Sequence, residues 1–543
     1  MKKNKYFIIF ILLIAAFLRF YQLGVNPPSL TWDEVAWGYN AYALGTDGRD
    51  EFGRFLPYDY LESFGDFKPP MYAYLDIIPV KIFGLNEFST RFPSAFFGVL
   101  TVLISYFLTL RIFYKSEYSK YYALLTSFIL AISPWHVMLS RAAFEANVAT
   151  FFLVLGVYLF LYALQKKPLI ISLSAVSFVF SMYTFNTSRI VAPLLVVLLV
   201  FGFWKSILKI KKQIIFAAVV GLVVLLPLMP FLLSDQAKLR FKEVNIFTDS
   251  NIVKTSNQEI LNDNNVWWSN IIHNRRVGYS LSYLQHYFDN LSFDFLFIKG
   301  DGNPKFSLQS VGQMYLWEFP FFIAGIIFLF RKREANWWIL PAWLILGIVP
   351  AATARETPHA LRIETTLPTF QLFVAYGLVN VFISTKGKLF KISFKKALIL
   401  AVGLAALFNF TYFWEDYSRH YAKKFAGEWQ YGYEDAVKYI NSVKDDYDTI
   451  YMTSSLGRPY MYLLFYEKYN PKLFRQQAKI ERDAFGFVNI SKIDKYYFDY
   501  KMAKESKKHG LYIVSPPDVP KSANIKRTFY LPDNTIVLVA YEE

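Results

Sequence analysis

Long apolar runs, separated by short polar segments, make up most of residues 1–414. Windows long enough to cross a hydrocarbon core of about 30 Å predict roughly eleven transmembrane helices. A further apolar stretch at 71–84 has helical spacing and is predicted to lie on the membrane surface. The pattern therefore predicts a polytopic α-helical membrane protein with amphipathic helices on its outer face. The predicted spans lie near 6–23, 91–111, 121–134, 144–164, 168–185, 189–208, 213–233, 316–330, 337–353, 362–384 and 396–414.

The positive charges between these spans predict the orientation of the chain. Cytoplasmic loops carry an excess of Lys and Arg, and every second predicted loop has a basic cluster. The N-terminus is therefore expected in the cytoplasm of a multi-pass cell-membrane protein, and segments 24–90, 234–315 and 415–543 outside it. The clusters are Lys2, Lys3 and Lys5; Arg111, Lys115 and Lys120; Lys166 and Lys167; Lys205 to Lys212; Arg331 to Arg333; and Lys386 to Lys396.

The tail from residue 415 has a different pattern from the 1–414 transmembrane domain. Glu434 to Val443 has the spacing of a helix, whereas Thr449 to Thr453, Leu511 to Val514 and Thr535 to Tyr541 alternate as strands do. A small extracytoplasmic α/β domain is predicted for residues 415–543.

Composition narrows the possible chemistry. The net charge is +16, but the basic residues form short clusters between apolar spans and no continuous basic face, so nucleic acid is not an expected partner. The 543 residues include no cysteine, which rules out disulfides and thiolate metal sites. Carboxylates, hydroxyls, histidines and cations remain as reactive groups.

Two adjacent carboxylates follow the first span, at the start of the loop 24–90. The spacing from Asp33 to Leu44 predicts an amphipathic helix, with Asp33 and Glu34 in its first turn. Thr31 and Glu34 have the spacing of a capping box, which would give Glu34 a structural role as readily as a catalytic one. Asp33 is left free by such a box and is the stronger candidate for a general base.

Lys68 lies further along the same loop and precedes two prolines. Pro69 and Pro70 favour an extended conformation at Lys68, and Pro70 suits the start of the next helix. A lysine at a membrane surface often only reaches toward the headgroups, but a rigid neighbour and nearby carboxylates favour phosphate binding here.

Several further cations are predicted at the outer ends of spans, against the usual placement of positive charge. A lipid phosphate at the outer leaflet would give them a partner, although ordinary headgroup anchoring or a pair between Arg141 and Glu145 would also explain some of them. Asp301 and Asn303, in a turn-like segment of the second outer loop, are weaker candidates for substrate binding. The outer cations are Arg141, Arg189, Arg355, His359 and Arg362.

Taken together, these motifs resemble membrane glycosyltransferases of the protein mannosyltransferase and aminoarabinose transferase type, which share the C-type glycosyltransferase fold. The resemblance covers most of residues 1–385. It depends on the Asp33 and Glu34 pair, on Lys68 with Pro69 and Pro70, on the run from Asn86 to Pro93, and on Ser133 with Pro134.

The resemblance implies transfer of a monosaccharide from a polyprenyl-phosphate donor to an acceptor hydroxyl outside the cytoplasm, with inversion at the anomeric carbon. Asp33 is then expected as the general base, and Lys68 as a phosphate ligand. The acceptor is left open among protein, lipid and glycan. The family commonly has an aspartate after the arginine near the fourth span, where this chain has Glu145.

A metal is not expected to be required, although Asp33 and Glu34 could hold a divalent cation through oxygen ligands. Two other kinds of protein remain open from the residues alone. A lipid-sugar flippase would be expected to carry ionisable groups near the bilayer midplane. A non-catalytic cell-envelope assembly protein would use Asp33 only to stabilise its helix.

Overall fold

The computed structural model describes residues 2–237, 245–389, 392–482, 488–506 and 508–543. Residues 238–244 of the second predicted outer loop, and Lys391 of the last basic cluster, lie outside the described residues. The chain divides into two compact units. The membrane unit comprises the described residues of Met1–Ala15, Gly98–Leu139 and Ala146–Phe413, and the loop-and-tail unit comprises those of Ala16–Phe97, Ser140–Glu145 and Trp414–Glu543.

Helices dominate the described residues, as the apolar pattern predicts. Up to the second outer loop they are α1 Lys2–Phe20, α2 Trp32–Asp47, α3 Met71–Phe83, α4 Glu87–Ile112, α5 Ser119–Ile132, α6 Pro134–Arg141, α7 Glu145–Gln165, α8 Ile171–Thr184, α9 Ser188–Gly202, α10 Trp204–Leu208, α11 Lys211–Leu225 and α12 Met229–Leu232. The later helices are α13 Ser250–Asn262, α14 Ser269–Ile272, α15 Arg275–Asp289, α16 Phe319–Lys332, α17 Ile339–Ile348, α18 Thr369–Ser384, α19 Phe394–Glu415, α20 Tyr421–Phe425, α21 Tyr433–Val443, α22 Pro459–Tyr466, α23 Pro471–Gln477 and α24 Tyr500–Glu505.

Four helical segments of the described chain are long and apolar enough to cross a membrane. Shorter apolar helices accompany them, so the count of eleven spans stays a prediction. The long segments are Glu87–Ile112, Glu145–Gln165, Lys211–Leu232 and Phe394–Trp429, and the shorter ones are Pro168–Thr184, Ser188–Gly202, Ile339–Thr353 and Thr369–Ser384.

The predicted third span, 121–134, ends at a break in the helix, where α5 meets the following helix α6 at an angle of 54°. Ser133 at the break has an extended backbone, with ψ at 126°. Pro134 explains the break, because proline disfavours helical geometry in the residue before it and donates no backbone hydrogen bond.

Two glycines allow α16 and α18 to pack closely within the membrane unit. A Cβ atom on Gly325 would overlap the carbonyl oxygen of Phe373, and one on Gly377 would overlap that of Phe321. Small residues at such contacts let helix backbones approach each other, which favours association in an apolar solvent.

The amphipathic helix α15, in the second predicted outer loop, is held against other helices of the membrane unit through its polar side. Tyr283 Oη donates to the carbonyl of Val349 over 3.3 Å, and Tyr287 Oη donates to that of Ile345 over 2.8 Å. The apolar stripe of this helix is exposed, as suits a helix beside lipid. The stripe consists of Val277, Leu281, Leu284 and Phe288.

The tail contains the predicted sheet, enlarged by strands that the pattern did not reveal. Its order is β10-β11-β9-β5-β8-β7-β6, and the central β5 is parallel to both of its neighbours. The predicted helix and three strands are confirmed as α21, β5, β9 and β11. The strands are β5 Thr449–Met452, β6 Ala478–Arg482, β7 Val488–Ile493, β8 Tyr496–Tyr497, β9 Gly510–Val514, β10 Asn524–Tyr530 and β11 Ile536–Glu542, and two small ladders pair β1 Leu61–Ser63 with β2 Asp66–Lys68 and β3 Lys388–Leu389 with β4 Ile392–Ser393.

Helix α2 forms where the sequence predicts it, but protein covers most of its surface. Val35, Ala36 and Tyr39 belong to a core that also contains Tyr462 and Leu463 of the tail helix α22. An amphipathic helix of this kind would suit a position on the membrane surface, but helix α22, more than 400 residues further along the chain, packs against the apolar face of α2 and covers it.

We expect the substitution Gly377→Ala to lower the stability of the membrane unit by about 1–3 kcal/mol, because the new methyl group overpacks the contact between α16 and α18. The midpoint of thermal unfolding in detergent measures this change. Gly403→Ala is the matched control, since a Cβ atom at Gly403 on α19 meets no atom within 4 Å. Equal midpoints for the two variants would contradict the packing described here.

Candidate active site

The start of helix α2 is fixed by the predicted capping box. The backbone N–H of Glu34 donates to Thr31 Oγ1 over 3.3 Å, and the backbone N–H of Thr31 donates to Glu34 Oε2 over 2.9 Å. These reciprocal bonds satisfy donors that a helix start would otherwise leave unpaired. The box also sets the direction of the two carboxylates that follow Thr31.

Glu34 is occupied by further contacts inside the protein. Its Oε1 atom lies 2.9 Å from Nε of Arg91 and also accepts from the backbone N–H of Ala143 over 2.9 Å. Neither side chain of the Glu34–Arg91 pair has any exposed surface. The Glu34 carboxylate thus holds together three segments of the loop-and-tail unit, and no face of it is open to a substrate.

The terminal nitrogens of Arg91, on the far side of its guanidinium from the Nε bond to Glu34, also have hydrogen-bond partners. Its two terminal nitrogens donate to the backbone carbonyls of Leu23, Pro27 and Ser29. Five N–H groups in a rigid fork suit arginine to such a junction, where it serves a carboxylate and several carbonyls at once. The path of the chain from the end of α1 to the start of α2 therefore depends on Arg91.

Asp33 is the accessible member of the pair. Its side chain is 50% exposed and accepts from the ammonium of Lys68, which is only 8% exposed. Lys68 ends strand β2 in the extended conformation that its two prolines predict. The candidate site therefore contains a half-exposed carboxylate, Asp33, beside a nearly buried ammonium, Lys68.

Aromatic rings surround the Lys68 ammonium. Its Nζ lies 5.2 Å from the ring centroid of Trp37 and 5.1 Å from that of Phe64. Both rings are buried, and their faces attract a cation while excluding water. An anion that reached this ammonium would bind it in a poorly solvated setting, where electrostatic interactions are strong.

Arg141 does not pair with Glu145, so that part of the sequence interpretation is wrong. Its guanidinium donates to the carbonyl of Leu18 over 2.7 Å, to that of Asn26 over 2.7 Å, and to Tyr417 Oη over 3.1 Å. Arginine stabilises a helix C-terminus in this way, because the last carbonyls of α1 lack partners within the helix. Glu145 is partly buried at the start of α7, and its carboxylate feels the charges of Asp33 and Lys68.

Asp301, Asn303 and His359 come together in the membrane unit, to which Arg362 also belongs. Asp301 Oδ2 accepts from the backbone N–H of Ala360 over 2.6 Å and lies 3.9 Å from His359 Nδ1. Asp301 Oδ1 accepts from the backbone N–H of Asn303 over 2.8 Å. Arg362 Nη1 donates to the carbonyl of Glu356 over 3.0 Å, and its charge acts on both Asp301 and His359.

Burial changes the protonation of this cluster. It lowers the pKa of His359 to about 3, with the Arg362 charge acting in the same direction, and it raises the pKa of Asp301 to about 6. His359 is therefore neutral at pH 7, so its contact with Asp301 is not an ion pair. In a phosphate site His359 would donate a hydrogen bond and carry no charge.

The remaining predicted cations lie in the membrane unit and are bound by the protein. Arg189 Nε donates to the carbonyl of Met182 over 3.3 Å, and its guanidinium lies 5.1 Å from the ring of Phe231. Arg355 donates to the carbonyl of Asn245 and to Thr248 Oγ1. Neither contact involves a carboxylate.

The sequence interpretation did not select Arg91, although it lies within the quoted run from Asn86 to Pro93. The signal that could have found it is its position: Arg91 is a basic residue at the start of an apolar span, and the loop before that span contains the carboxylate of Glu34. The same run begins with Asn86, which exchanges hydrogen bonds with Ser89 at the start of α4. The conformation of this run thus positions Arg91 for its pair with Glu34.

Comparison with known proteins agrees with the motifs. Residues 9–245, under half of the chain, match the family model of dolichyl-phosphate-mannose-protein mannosyltransferases. An uncharacterised protein of Aquifex aeolicus (strain VF5) is 32% identical over 206 residues, which is 37% of this chain and 39% of the relative. The Bacillus subtilis (strain 168) protein YkcB, named provisionally as a mannosyltransferase, is 30% identical over 213 residues, or 38% of this chain and 27% of YkcB. The matched segments thus span well under half of the length of either relative.

Solved structures show the fold of the whole chain. ArnT from Cupriavidus metallidurans superimposes with a TM-score of 0.55 at 12% identity, covering 98% of this chain and 97% of ArnT. ArnT has also been crystallised bound to undecaprenyl phosphate. The oligosaccharyltransferase of Archaeoglobus fulgidus superimposes with a TM-score of 0.51 at 16% identity, covering 85% of this chain and 63% of that enzyme.

These findings confirm the resemblance inferred from the motifs. Residues 9–245 are similar to the dolichyl-phosphate-mannose-protein mannosyltransferases, and the chain as a whole has the fold seen in ArnT.

We expect Arg91→Met to destabilise the loop-and-tail unit by about 3–5 kcal/mol, because it leaves the buried Glu34 charge without its partner. Thermal unfolding in detergent, combined with limited proteolysis of the loop 24–90, measures the loss. Asp33→Asn serves as the comparison, since its side chain is half-exposed and the variant is expected to unfold close to the wild-type midpoint. An Arg91→Met protein as stable as the wild type would show that the pair does not organise this site.

Proposed function

We propose that this protein transfers a monosaccharide from a polyprenyl-phosphate donor to an acceptor hydroxyl on the outer side of the membrane, with inversion at the anomeric carbon. The observation that carries the proposal is the pairing of the half-exposed Asp33 carboxylate with the nearly buried Lys68 ammonium. A base open to an acceptor and a cation set among aromatic rings are the two groups that this displacement requires.

In the proposed reaction, the acceptor oxygen attacks the anomeric carbon as Asp33 takes the acceptor proton. The bond from the anomeric carbon to the phosphate oxygen breaks, and its electron pair leaves with the polyprenyl phosphate. Lys68 stabilises the charge that develops on this phosphate. The arriving donor also competes with Asp33 for the Lys68 ammonium, so donor binding frees the carboxylate to act as a base.

Glu34 has a positioning role in this mechanism, because Arg91 and backbone groups already occupy its oxygens. Its contribution is to fix the first turn of α2, so that the neighbouring Asp33 points toward Lys68. The two adjacent carboxylates thus perform different tasks.

The other predicted site residues are assigned to substrate binding. Arg141, Arg189 and Arg362 would add positive charge for the donor phosphate, and neutral His359 a hydrogen bond. Asp301 and Asn303 are proposed to bind substrate hydroxyl groups. The positive-inside pattern supports an outward position for the loops and the tail, with the N-terminus in the cytoplasm. The acceptor is a protein, a lipid or a glycan of the cell envelope.

We expect Asp33→Asn to lower sugar transfer by roughly 100- to 10,000-fold, the usual loss when a general base is removed. The assay follows radiolabelled sugar from a panel of polyprenyl-phosphate monosaccharides to envelope membranes. Asp59→Asn is the matched control, because Asp59 lies in the same loop and pairs with Arg54 over 2.7 Å. Undiminished transfer by a folded Asp33→Asn protein would exclude Asp33 as the base, and no transfer by the wild type from any donor would favour a flippase or an assembly protein.

We propose that no metal is required, because Lys68 supplies the positive charge that a metal would otherwise place at the leaving group. Among the described residues, no group of three or more His, Asp or Glu side chains is arranged to hold a metal ion. If Lys68 has this role, transfer is expected to continue at an undiminished rate in EDTA. Loss of transfer in EDTA, restored by Mg²⁺ or Mn²⁺, would instead favour a cation held by the Asp33 carboxylate, with Glu34 able to join only by leaving Arg91.

A further inference from the structure

A loop of the tail places an arginine, Arg458, against the ring of Phe64, which the Lys68 ammonium also approaches. The loop covers residues 453–458, between the end of strand β5 and the start of helix α22. Strand β5 has a parallel neighbour on each side, and the carboxyl ends of parallel strands are where α/β sheets commonly form ligand sites. Ser454 and Ser455 of this loop are exposed, and Arg458 is its last residue.

The loop lies directly against the residue that precedes Asp33. Gly457 has a φ of +124°, and a Cβ atom at this position would lie 2.6 Å from the ring of Trp32. Only glycine combines this backbone conformation with so close an approach. The loop conformation at Gly457 therefore brings Arg458 beside the start of α2.

Arg458 and Lys68 both lie close to the ring of Phe64. Its guanidinium carbon lies 5.3 Å from the ring centroid of Phe64, and Lys68 Nζ lies 5.1 Å from the same centroid. The two positive groups are consequently no more than about 10 Å apart. Their mutual repulsion in a partly buried setting favours an anion that contacts both.

The two cations differ in their partners. Lys68 forms an ion pair with Asp33, whereas Arg458 forms no ion pair among the residues that the structure describes. Arg458 is only partly exposed, so bulk water does not fully solvate its charge. A guanidinium in this position presents a fork of N–H donors that matches a phosphate group.

We propose that Arg458 is a second cationic ligand of the donor phosphate, so that the tail completes the donor site begun by Lys68. This inference rests on the proposed function. When the donor phosphate takes the Lys68 ammonium from Asp33, Arg458 contacts the same phosphate from the side of the tail. It also stabilises the additional negative charge that the phosphate gains when the sugar leaves.

The test is the binding of a short-chain polyprenyl phosphate to the purified full-length protein in detergent micelles. We expect Arg458→Met to weaken this binding roughly 10- to 100-fold, the factor for loss of a charged hydrogen-bonding pair. Arg458→Lys keeps the positive charge but loses the paired N–H donors of the guanidinium, so its affinity is expected to lie between those of the wild type and Arg458→Met. The corresponding prenol, which has no phosphate, is expected to bind all variants equally.

Arg527→Met is the matched control for loss of a stacked arginine in the tail. The Arg527 guanidinium carbon lies 5.3 Å from the ring of Tyr439, the same distance as Arg458 from Phe64. We expect this variant to bind polyprenyl phosphate as the wild type does. If Arg458→Met fails to fold, Gly457→Ala gives a second test, because it displaces the loop from Trp32 without removing the charge; it is also expected to weaken phosphate binding.

The outcomes separate this inference from the proposed function. Unchanged polyprenyl-phosphate affinity in Arg458→Met, with weakened binding in Lys68→Met, would overturn the role of Arg458 and leave the proposed function standing. A raised KM for the acceptor alone would also overturn it and assign the loop to the acceptor. Unchanged phosphate binding in Lys68→Met, with full transfer by Asp33→Asn, would instead contradict the proposed function itself.

Discussion

The buried ion pair between Glu34 and Arg91 is the interaction on which the candidate site depends. Neither side chain is exposed, and each is saturated by further hydrogen bonds from or to the backbone. Burying two charges is costly, and the cost is offset only where geometry and additional partners are this complete. The pair connects the start of α2, the start of α4 and the chain that follows α1, so it sets the frame in which Asp33 lies.

This frame explains why two adjacent carboxylates have different environments. Consecutive residues of a helix point about 100° apart, so a first turn that directs Glu34 into the protein leaves Asp33 at its edge. The capping box then holds Glu34 in its place, and Lys68 lies beside Asp33 on an extended strand. Glu34 therefore has a structural role, whereas its neighbour Asp33 is accessible to a substrate.

Local features of this arrangement were predictable from the sequence. The capping box of Thr31 and Glu34, the extended backbone at Lys68, and the helix and three strands of the tail all follow from short-range spacing or proline chemistry. Such features depend on neighbours within a few residues, for which local patterns are informative.

Contacts between distant parts of the chain were not predictable in this way. Arg91 reaches Glu34 across 57 residues, and helix α22 covers α2 across more than 400. Arg141 binds carbonyls at the end of α1 and not the nearby Glu145, because the fold brings unpaired helix-terminal carbonyls to it. Side-chain partners of this kind are set by tertiary packing, which spacing along the sequence does not encode.

A structure of the Asp33→Asn protein with a polyprenyl-phosphate monosaccharide bound would test the roles of Asp33 and Lys68 most directly. We expect a phosphate oxygen within hydrogen-bond distance of Lys68 Nζ, with the anomeric carbon facing the side chain at position 33. A phosphate bound away from Lys68, or a sugar whose anomeric carbon faces away from position 33, would contradict these roles.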